Sequence, residues 1–520
     1  MPSSEGGRDL RIGIDVGGTN TDAVVLDGQD KVLAWTKRPT TDDVTGGMRA
    51  ALAAVLEGID DPTRVGRVML GTTAATNAIV ERRRLGRVAV IRLGAPATTS
   101  VPPLTTWPAD LREAVSAGEL LARGGYLIDG RRIAPMDVEA IKRFLGSVAG
   151  KADAVAITGV FSPVVHDEER AAGELVRQEL GDSVSLSLSH EIGQIGLLER
   201  ENSTVLNAAL HDVARDVTGA LTQVLSERGL EPATFFAQND GTLMAMEYAS
   251  RYPVLTIGSG PANSIRGAAF LSGVQDAIVA DVGGTTTDLG VLVRGLPRES
   301  SEAVRIGGVS TNFRMPDVVS IGLGGGTIIA DDGNRVGPQS VGHRLVDEAL
   351  VFGGSTRTLT DAGVHFGRAQ IGSHHVSAQH GDALVRGLRA ADEMLGEAVD
   401  VMSLGKAERP LVVVGGGAFL VPDEVPGASE VIRPERGDVA NAVGAAIALA
   451  SGRWDAIVPD GAGRRAALDK ACDMARQRAV QAGADPTRVE IVELIEIPLS
   501  YLPEPAIRVN VKAAGPLAWL

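Results

Sequence analysis

Asp15-Val16-Gly17-Gly18-Thr19-Asn20-Thr21-Asp22 returns as Asp281-Val282-Gly283-Gly284-Thr285-Thr286-Thr287-Asp288, with Asn20 against Thr286 the single difference. Each copy follows an apolar run, Leu10 to Ile14 and Ala277 to Ala280, and precedes another, Ala23 to Leu26 and Leu289 to Val293. Apolar runs joined by a glycine turn predict a β-hairpin. The copies lie a domain apart, well beyond the roughly 20–50 residue period of a solenoid, so two similar halves are expected. A Gly-Gly-Thr tip suits a triphosphate for two reasons: without Cβ atoms the backbone approaches phosphate closely, and several amides and hydroxyls point inward. The leading aspartates, Asp15 and Asp281, stand at strand ends beside these tips, where a carboxylate can hold Mg²⁺ or orient an attacking group. A single Asp-Gly-Gly would equally close an ordinary turn; two nearly identical copies favour phosphate.

The chain has 520 residues, too many for one core of roughly 100–200 residues. Hydrophobic residues at 44% and charged residues at 22% are the proportions of a folded protein. Fifty Lys and Arg against 65 Asp and Glu leave a net charge of −15, and the densest basic run is Arg82-Arg83-Arg84. That balance opposes a nucleic-acid backbone, and aromatic residues at 3% are too sparse for base-stacking platforms. Cys472 is the sole cysteine, so neither an intrachain disulfide nor a two-cysteine metal motif can form, and a reducing compartment fits. Met1 to Asp9 lacks the charged start and apolar stretch of a secretory signal, and no run of roughly 18 apolar residues occurs. The expectation is a cytoplasmic protein that engages neither nucleic acid nor membrane.

Around the hairpins, strand-like runs alternate with helical patterns, as in Ala154 to Thr158 before Asp167 to Glu179, and Pro410 to Val414 before Ala440 to Ala450. That is α/β patterning. Val205 to Arg228 reads as one long amphipathic helix separating the halves. Beyond Gly452, a helix over Arg464 to Ala482 and strands over Val489 to Ile497 and Ala506 to Val511 form a C-terminal appendage. The expected divisions are residues 9–195, 196–452 and 453–520.

The paired hairpins, followed by Leu411-Val412-Val413-Val414-Gly415-Gly416-Gly417-Ala418, resemble the superfamily of acetate and sugar kinases, hexokinase, heat-shock chaperone ATPases and actin. The resemblance implies duplicated actin-like ATPase (ribonuclease H-like) domains with a nucleotide cleft between them. It assigns Gly415, Gly416 and Gly417 to adenosine, and the small-residue helix through Ala440, Ala442, Gly444, Ala445 and Ala446 to the interdomain hinge. More narrowly, Arg11 to Asp22, Gly71 to Arg82, Asp281 to Asp288 and Ser320 to Thr327 together resemble the A-type subunit of the ATP-dependent hydantoinase/oxoprolinase family. Ser259-Gly260-Pro261-Ala262 and Val336-Gly337-Pro338 add to the likeness, which runs from about residue 10 to 450. Members of that family use ATP to activate a carbonyl for ring opening or carboxylation. The implied activity is phosphorylation of a cyclic amide, of hydantoin, oxoproline or lactam type, for hydrolysis with a B-type partner subunit. The chain ends at Leu520, shorter than many A subunits, so chemistry carried on the B side is expected elsewhere. A small-molecule kinase, or an ATP-driven reactivase or chaperone-like switch, is the alternative within the same superfamily.

The expected site therefore comprises Asp15 and Asp281 as catalytic and Mg²⁺-holding groups. ATP contacts are expected from Gly17, Gly18, Thr19, Asn20, Gly283, Gly284, Thr285, Thr286, Gly324, Gly325 and the 415–417 triplet. Gly71-Thr72-Thr73 and Gly324-Gly325-Gly326-Thr327 are two further glycine turns after apolar strands, expected to turn amides and hydroxyls to the same cleft. Thr72, Thr73 and Asn77 are candidate substrate contacts, neutral donors able to orient a carbonyl, with Asn77 one helical turn after Thr73. A capping role for Thr73 is the competing reading. His374-His375, with His365 and His380 nearby, lack the i, i+4 spacing of a metal pair and are read as a surface loop. Arg82 to Arg84 are expected to follow a helix and meet the negative end of its dipole.

Overall fold

Leu10–Val16 (β1), Asn20–Leu26 (β2) and Val32–Pro39 (β3) form an antiparallel meander. Val65–Thr72 (β4) runs parallel to β1 on its other side, and Ala233–Ala237 (β5) runs parallel to β4. The computed structural model describes residues 7–518 other than 19, 41–43, 194, 301–303, 406–407, 462 and 500–504. The strands are apolar almost throughout because both faces are covered. On β2, Val25 faces a cluster with Met48 and Leu52, while Val24 faces Val443 and Ala446 on the opposite side.

The same plan is built a second time. Ala277–Val282 (β6), Thr287–Val293 (β7) and Leu296–Pro297 (β8) form an antiparallel meander. Arg409–Val414 (β9) is parallel to β6, and Ala428–Ile432 (β10) is parallel to β9. Strand order β3-β2-β1-β4-β5 in one sheet and β8-β7-β6-β9-β10 in the other agree in sequence and direction. This is the duplicated actin-like α/β fold implied by the repeated hairpin.

Three helices matter for the site: Ala74–Glu81 (α1), Ser259–Ser272 (α2) and Ala440–Ala446 (α3). α2 and α3 cross at very close range, since a Cβ on Gly267 would fall on the Ala440 carbonyl and one on Gly444 on the Asn263 carbonyl. α3 is pressed equally tightly onto β1, where a Cβ on Gly13 would meet the Ala442 carbonyl. Small residues here allow two backbones to touch, as the sequence reading of α3 anticipated.

The sheets do not follow the linear order of the chain. Residues 233–245 and 450–515 join the sheet of the N-terminal half, where Ala450–Pro459, Ala506–Gly515 and Glu490–Leu499 extend it beyond Leu243–Ala245. The reason is packing. Ile507, Val509, Val511 and Ala513 alternate into the same core as Phe235 and Leu243, under a helix over Arg464–Gln481 that buries Ala471, Ala475 and Ala479. A separate parallel sheet, Ser116–Arg123, Val88–Ala95, Ala154–Gly159 and Ser185–Leu188, is inserted after β4.

The single helix expected over 205–228 is two helices, Leu197–Ala209 and His211–Glu227. The break at Leu210, whose amide donates to Asn207 O, separates a helix buried from Arg200 to Ala209 from an amphipathic one. Different surroundings, which periodicity does not reveal, impose the division.

Gly444→Ala is expected to destabilise the fold by about 1–3 kcal/mol in urea denaturation, because the added methyl overlaps backbone that no rotamer change can move. Unchanged stability would show that α2 and α3 separate freely.

Candidate functional site

The register of each hairpin places its two aspartates side by side, Asp15 with Asp22 and Asp281 with Asp288. Both tips close with the same bond, Gly17 N to Asn20 O and Gly283 N to Thr286 O, each at 2.9 Å. Tip carbonyls are tied from behind: Gly17 O accepts from Thr40 Oγ1, Gly283 O from Gly325 N, and Gly284 O from Gly326 N. The amides of Gly18, Gly284 and Thr285 have no acceptor among the described residues. Unspent amides on a turn whose carbonyls point away form an anion-binding concavity.

Both hairpins line one cleft of about 650 Å³. Asp15, Gly17, Asn20 and Asp22 lie on one wall, with Asp281, Gly283, Gly284, Thr286 and Asp288 on the other. Gly415 and Gly416 reach it from the end of β9, and Gly437 to Asn441 from the start of α3. The four hairpin carboxylates and Asp438 thus line one space. Among the described residues lining the cleft, Lys37 is the one cation; its Nζ donates to Asp22 Oδ2 at 2.6 Å and to Asp438 O at 2.9 Å. Burial, reinforced by Asp22, pushes Asp15 up to about 7 despite Lys37. Burial likewise takes Asp22 to about 6 against the pull of Lys37. Asp281 and Asp288 are raised by burial too, opposed mainly by Ser264 and Ser320 respectively. Raised carboxyls are the response of buried, mutually repelling acids that share a single cation, Lys37.

Glycine is required beside both leading aspartates. A Cβ on Gly71, at the end of β4, would strike Asp15 Oδ1 and Asn263 Nδ2; one on Gly415, after β9, would strike Asp281 Oδ1 and Val282 O. Gly71 pairs directly with Asp15 in the sheet, whereas Gly415 lies one residue beyond Val414, the partner of Asp281. Asp15 Oδ1, Asp22 Oδ1, both amide atoms of Asn263, Ser264 Oγ and Asn441 Oδ1 are buried without a hydrogen-bond partner among the described residues. Such a cluster of orphaned oxygen and amide groups is the signature of a polar guest.

Several expected residues stand elsewhere. Gly324 and Gly325 buttress the second hairpin from behind: a Cβ on Gly324 would overlap Thr285 N, and the Gly325 amide is spent on Gly283 O. They support the tip and do not line the cleft. Gly417 likewise gives its amide to Val282 O, leaving Gly415 and Gly416 exposed to the cleft. Thr72 Oγ1 accepts from Ala74 N, Thr73 Oγ1 donates to Val16 O, and Asn77 Nδ2 donates to Thr73 Oγ1. These three residues tie the start of α1 to the first hairpin, with Asn77 Nδ2 beside Gly18. Thr19 lies outside the described residues. Arg82 caps the end of α1 through the Ile79 and Val80 carbonyls.

Lys37, Asn263 and Asn441 were not singled out from the sequence. A signal existed for the asparagines, since Ala262-Asn263 ahead of Gly267-Ala268-Ala269 echoes Ala440-Asn441 ahead of Gly444-Ala445-Ala446. Lys37 sits on β3 with no motif around it.

Residues 11–180 match the family model for the hydantoinase/oxoprolinase N-terminal region, and residues 200–399 the model for hydantoinase/oxoprolinase. The chain is 29% identical over 391 residues to caprolactamase subunit alpha of Pseudomonas jessenii, covering 69% of this chain and 54% of that protein. It is 28% identical over 415 residues to acetophenone carboxylase gamma subunit of Aromatoleum aromaticum, covering 68% and 53%. The chain therefore spans about half the length of these curated relatives. Among solved structures, ATP-dependent caprolactamase from Pseudomonas jessenii superposes with a TM-score of 0.77 at 21% identity, covering 97% of this chain and 87% of that one. Nucleotide-free acetone carboxylase gives a TM-score of 0.70 at 16% identity, covering 98% and 88%. These two likenesses establish a shared fold.

In metal-free buffer, stability should fall as pH rises from about 4 to about 7, because folded Asp15 keeps a proton that the unfolded chain, with its ordinary carboxyl near 3.8, releases. Asp15→Asn is expected to flatten that slope by roughly 2–4 kcal/mol between about pH 5 and about pH 8 in urea melts. A slope identical to wild type would exclude Asp15 as the titrating group.

Proposed function

The chain belongs to the hydantoinase/oxoprolinase family, and on that premise we propose that it is the ATP-consuming subunit of an enzyme that activates the carbonyl of a cyclic amide. The observation that carries this reading is the pair of equivalent hairpins facing one cleft, with unspent tip amides and four hairpin carboxylates, joined by Asp438, against a single lysine. Tip amides suit phosphate oxygens, and Gly415 and Gly416 leave room for a nucleoside against bare backbone. The carboxylates repel a bare polyanion, so the nucleotide must arrive with compensating positive charge. Asp15, Asp22, Asp281 and Asp288 have the all-oxygen character that Mg²⁺ selects, one or two carboxylates completed by phosphate and water. When bound, Mg²⁺ neutralises charge on the phosphate oxygens.

In this reading the γ-phosphoryl group passes to the amide oxygen, the bond to the ADP leaving oxygen breaks, and the amide carbon becomes open to water. An amide resists attack because nitrogen donates into its carbonyl; phosphorylation on oxygen converts that oxygen into a leaving group. The residues of this chain contribute positioning: the two tips hold the phosphates from opposite sides, and Lys37 meets negative charge at the cleft floor. Ring opening itself is assigned to a B-type partner, in keeping with relatives that bear subunit names. A ketone carboxylase reading shares the same first step and draws on the acetophenone carboxylase gamma subunit; incorporation of labelled bicarbonate in place of ring opening would identify it.

Asp281→Ala is expected to lower Mg²⁺-dependent ATP turnover at least ~100-fold with an unchanged circular dichroism spectrum. Wild-type turnover in that variant would remove the aspartate from the site. The isolated chain is expected to hydrolyse ATP slowly and to open hydantoins, lactams or oxoproline only with a partner subunit. A stable phosphorylated product would indicate a kinase, and ATP turnover stimulated by a protein but by no cyclic amide would indicate a switch.

A further inference from the structure

A second cavity, sharing no lining residue with the hairpin cleft, opens where the inserted unit, the loop after Val309–Thr311 and the C-terminal strands meet. Its charges are unevenly committed. Arg453 is held by Asp240, Glu299 and Glu493, and Lys512 by Asp240 and Glu299. Arg478 differs. Its Nη1 donates to Arg453 O at 3.0 Å and its guanidinium lies 4.6 Å from the centre of the Trp454 ring, yet no carboxylate among the described residues pairs with it. A planar cation fixed by stacking, with donors to spare, is a carboxylate receptor.

His190 also lines the cavity and supplies the opposite polarity. Its Nδ1 lies 2.6 Å from Glu169 Oε2, and Glu169 also accepts from Gly159 N, Ser189 Oγ and His190 N. Burial works against the Glu169 carboxylate, but the contacts from His190 and Ser189 outweigh it and keep the group ionised. A carboxylate at that distance takes the N–H of Nδ1, and in that tautomer the ring's other nitrogen, Nε2, is an acceptor. His166 stacks on one face of the ring at 4.6 Å, which fixes its orientation. Phe313 and Trp454 add apolar surface to the cavity, and Asn510 Oδ1 and Asn312 Nδ2 on its wall are buried without partners among the described residues.

We propose that this cavity binds a small cyclic carboxylate that also carries an O–H or N–H group, with the carboxylate on Arg478, the donor on His190 Nε2 and the ring against Phe313 and Trp454. The site stands whether or not the hairpin cleft takes ATP. Calorimetric titration of the full chain with the three hydroxybenzoate isomers tests it. At least one isomer should bind saturably, and benzoate, which lacks the donor, and phenol, which lacks the carboxylate, should each bind at least roughly tenfold more weakly. Arg478→Gln should weaken the bound isomer at least roughly tenfold, and His190→Gln should erase its advantage over benzoate. If circular dichroism shows Arg478→Gln to be misfolded, Arg478→Lys, which keeps the charge and loses the fork, should weaken binding in the same direction. Asp281→Ala should retain the binding, which separates this site from the nucleotide reading. Absence of saturable binding by all three isomers, equal affinity for benzoate or phenol, or loss with Asp281→Ala but not with the Arg478 variants would each overturn the proposal.

Discussion

Four hairpin carboxylates are brought together with Asp438 around one cleft, and that repulsion sets the terms for the rest of the structure. Left alone, such a cluster pushes the two halves apart or takes up protons. What opposes it here is partly local, in Lys37 between Asp22 and the Asp438 carbonyl, and partly architectural. β1 and β6 are anchored by core residues on either side of each leading aspartate, Ile14 and Val16 in one half and Ala280 and Val282 in the other, so the carboxylates cannot relax by retreating. A buried group retained against its own desolvation is a mark of function more than of stability.

The duplicated plan explains how one short motif serves two walls. Because each half repeats the same strand order, its leading aspartate emerges at the same sheet edge and its glycine-tipped turn points the same way relative to that sheet. α2 and α3 then bring the halves face to face. Their contact through Gly267 and Gly444 is close enough to transmit any rocking of one half to the other, and Arg266 of α2 spans it to donate to the Ile447 carbonyl at the end of α3. Closure around a guest and release of it are both compatible with that joint.

Much of this was legible from the residues. The hairpins announced themselves by repetition, and their convergence on one cleft follows from the fold that repetition implies. Gly415 and Gly416 were placed by resemblance and do line the cleft. The misplacements have a common physical origin. Glycines near a phosphate loop serve two ends, approach to ligand and close packing of backbone, and sequence does not distinguish Gly283, at the tip, from Gly324, which lets another turn pack behind it. Thr73 and Asn77 carry donors of the right kind, but helix and hairpin consume them. Lys37 was invisible for the opposite reason, a lone lysine on a strand that reads as a solvent-facing position until the fold brings Asp438 to it.

The sheet that begins with β1 is completed only by strands at 450–515, whereas the sheet containing β6 closes within residues 277–432. During synthesis, then, the later sheet has all its strands out of the ribosome first, and the earlier one waits with an unpaired border at Ala233–Ala245. Contacts spanning that much chain are slow to form, and an exposed strand border in the interval invites pairing with other chains. The sheet begun first in translation is thus the one completed last, and the late strands act as the latch that covers its border.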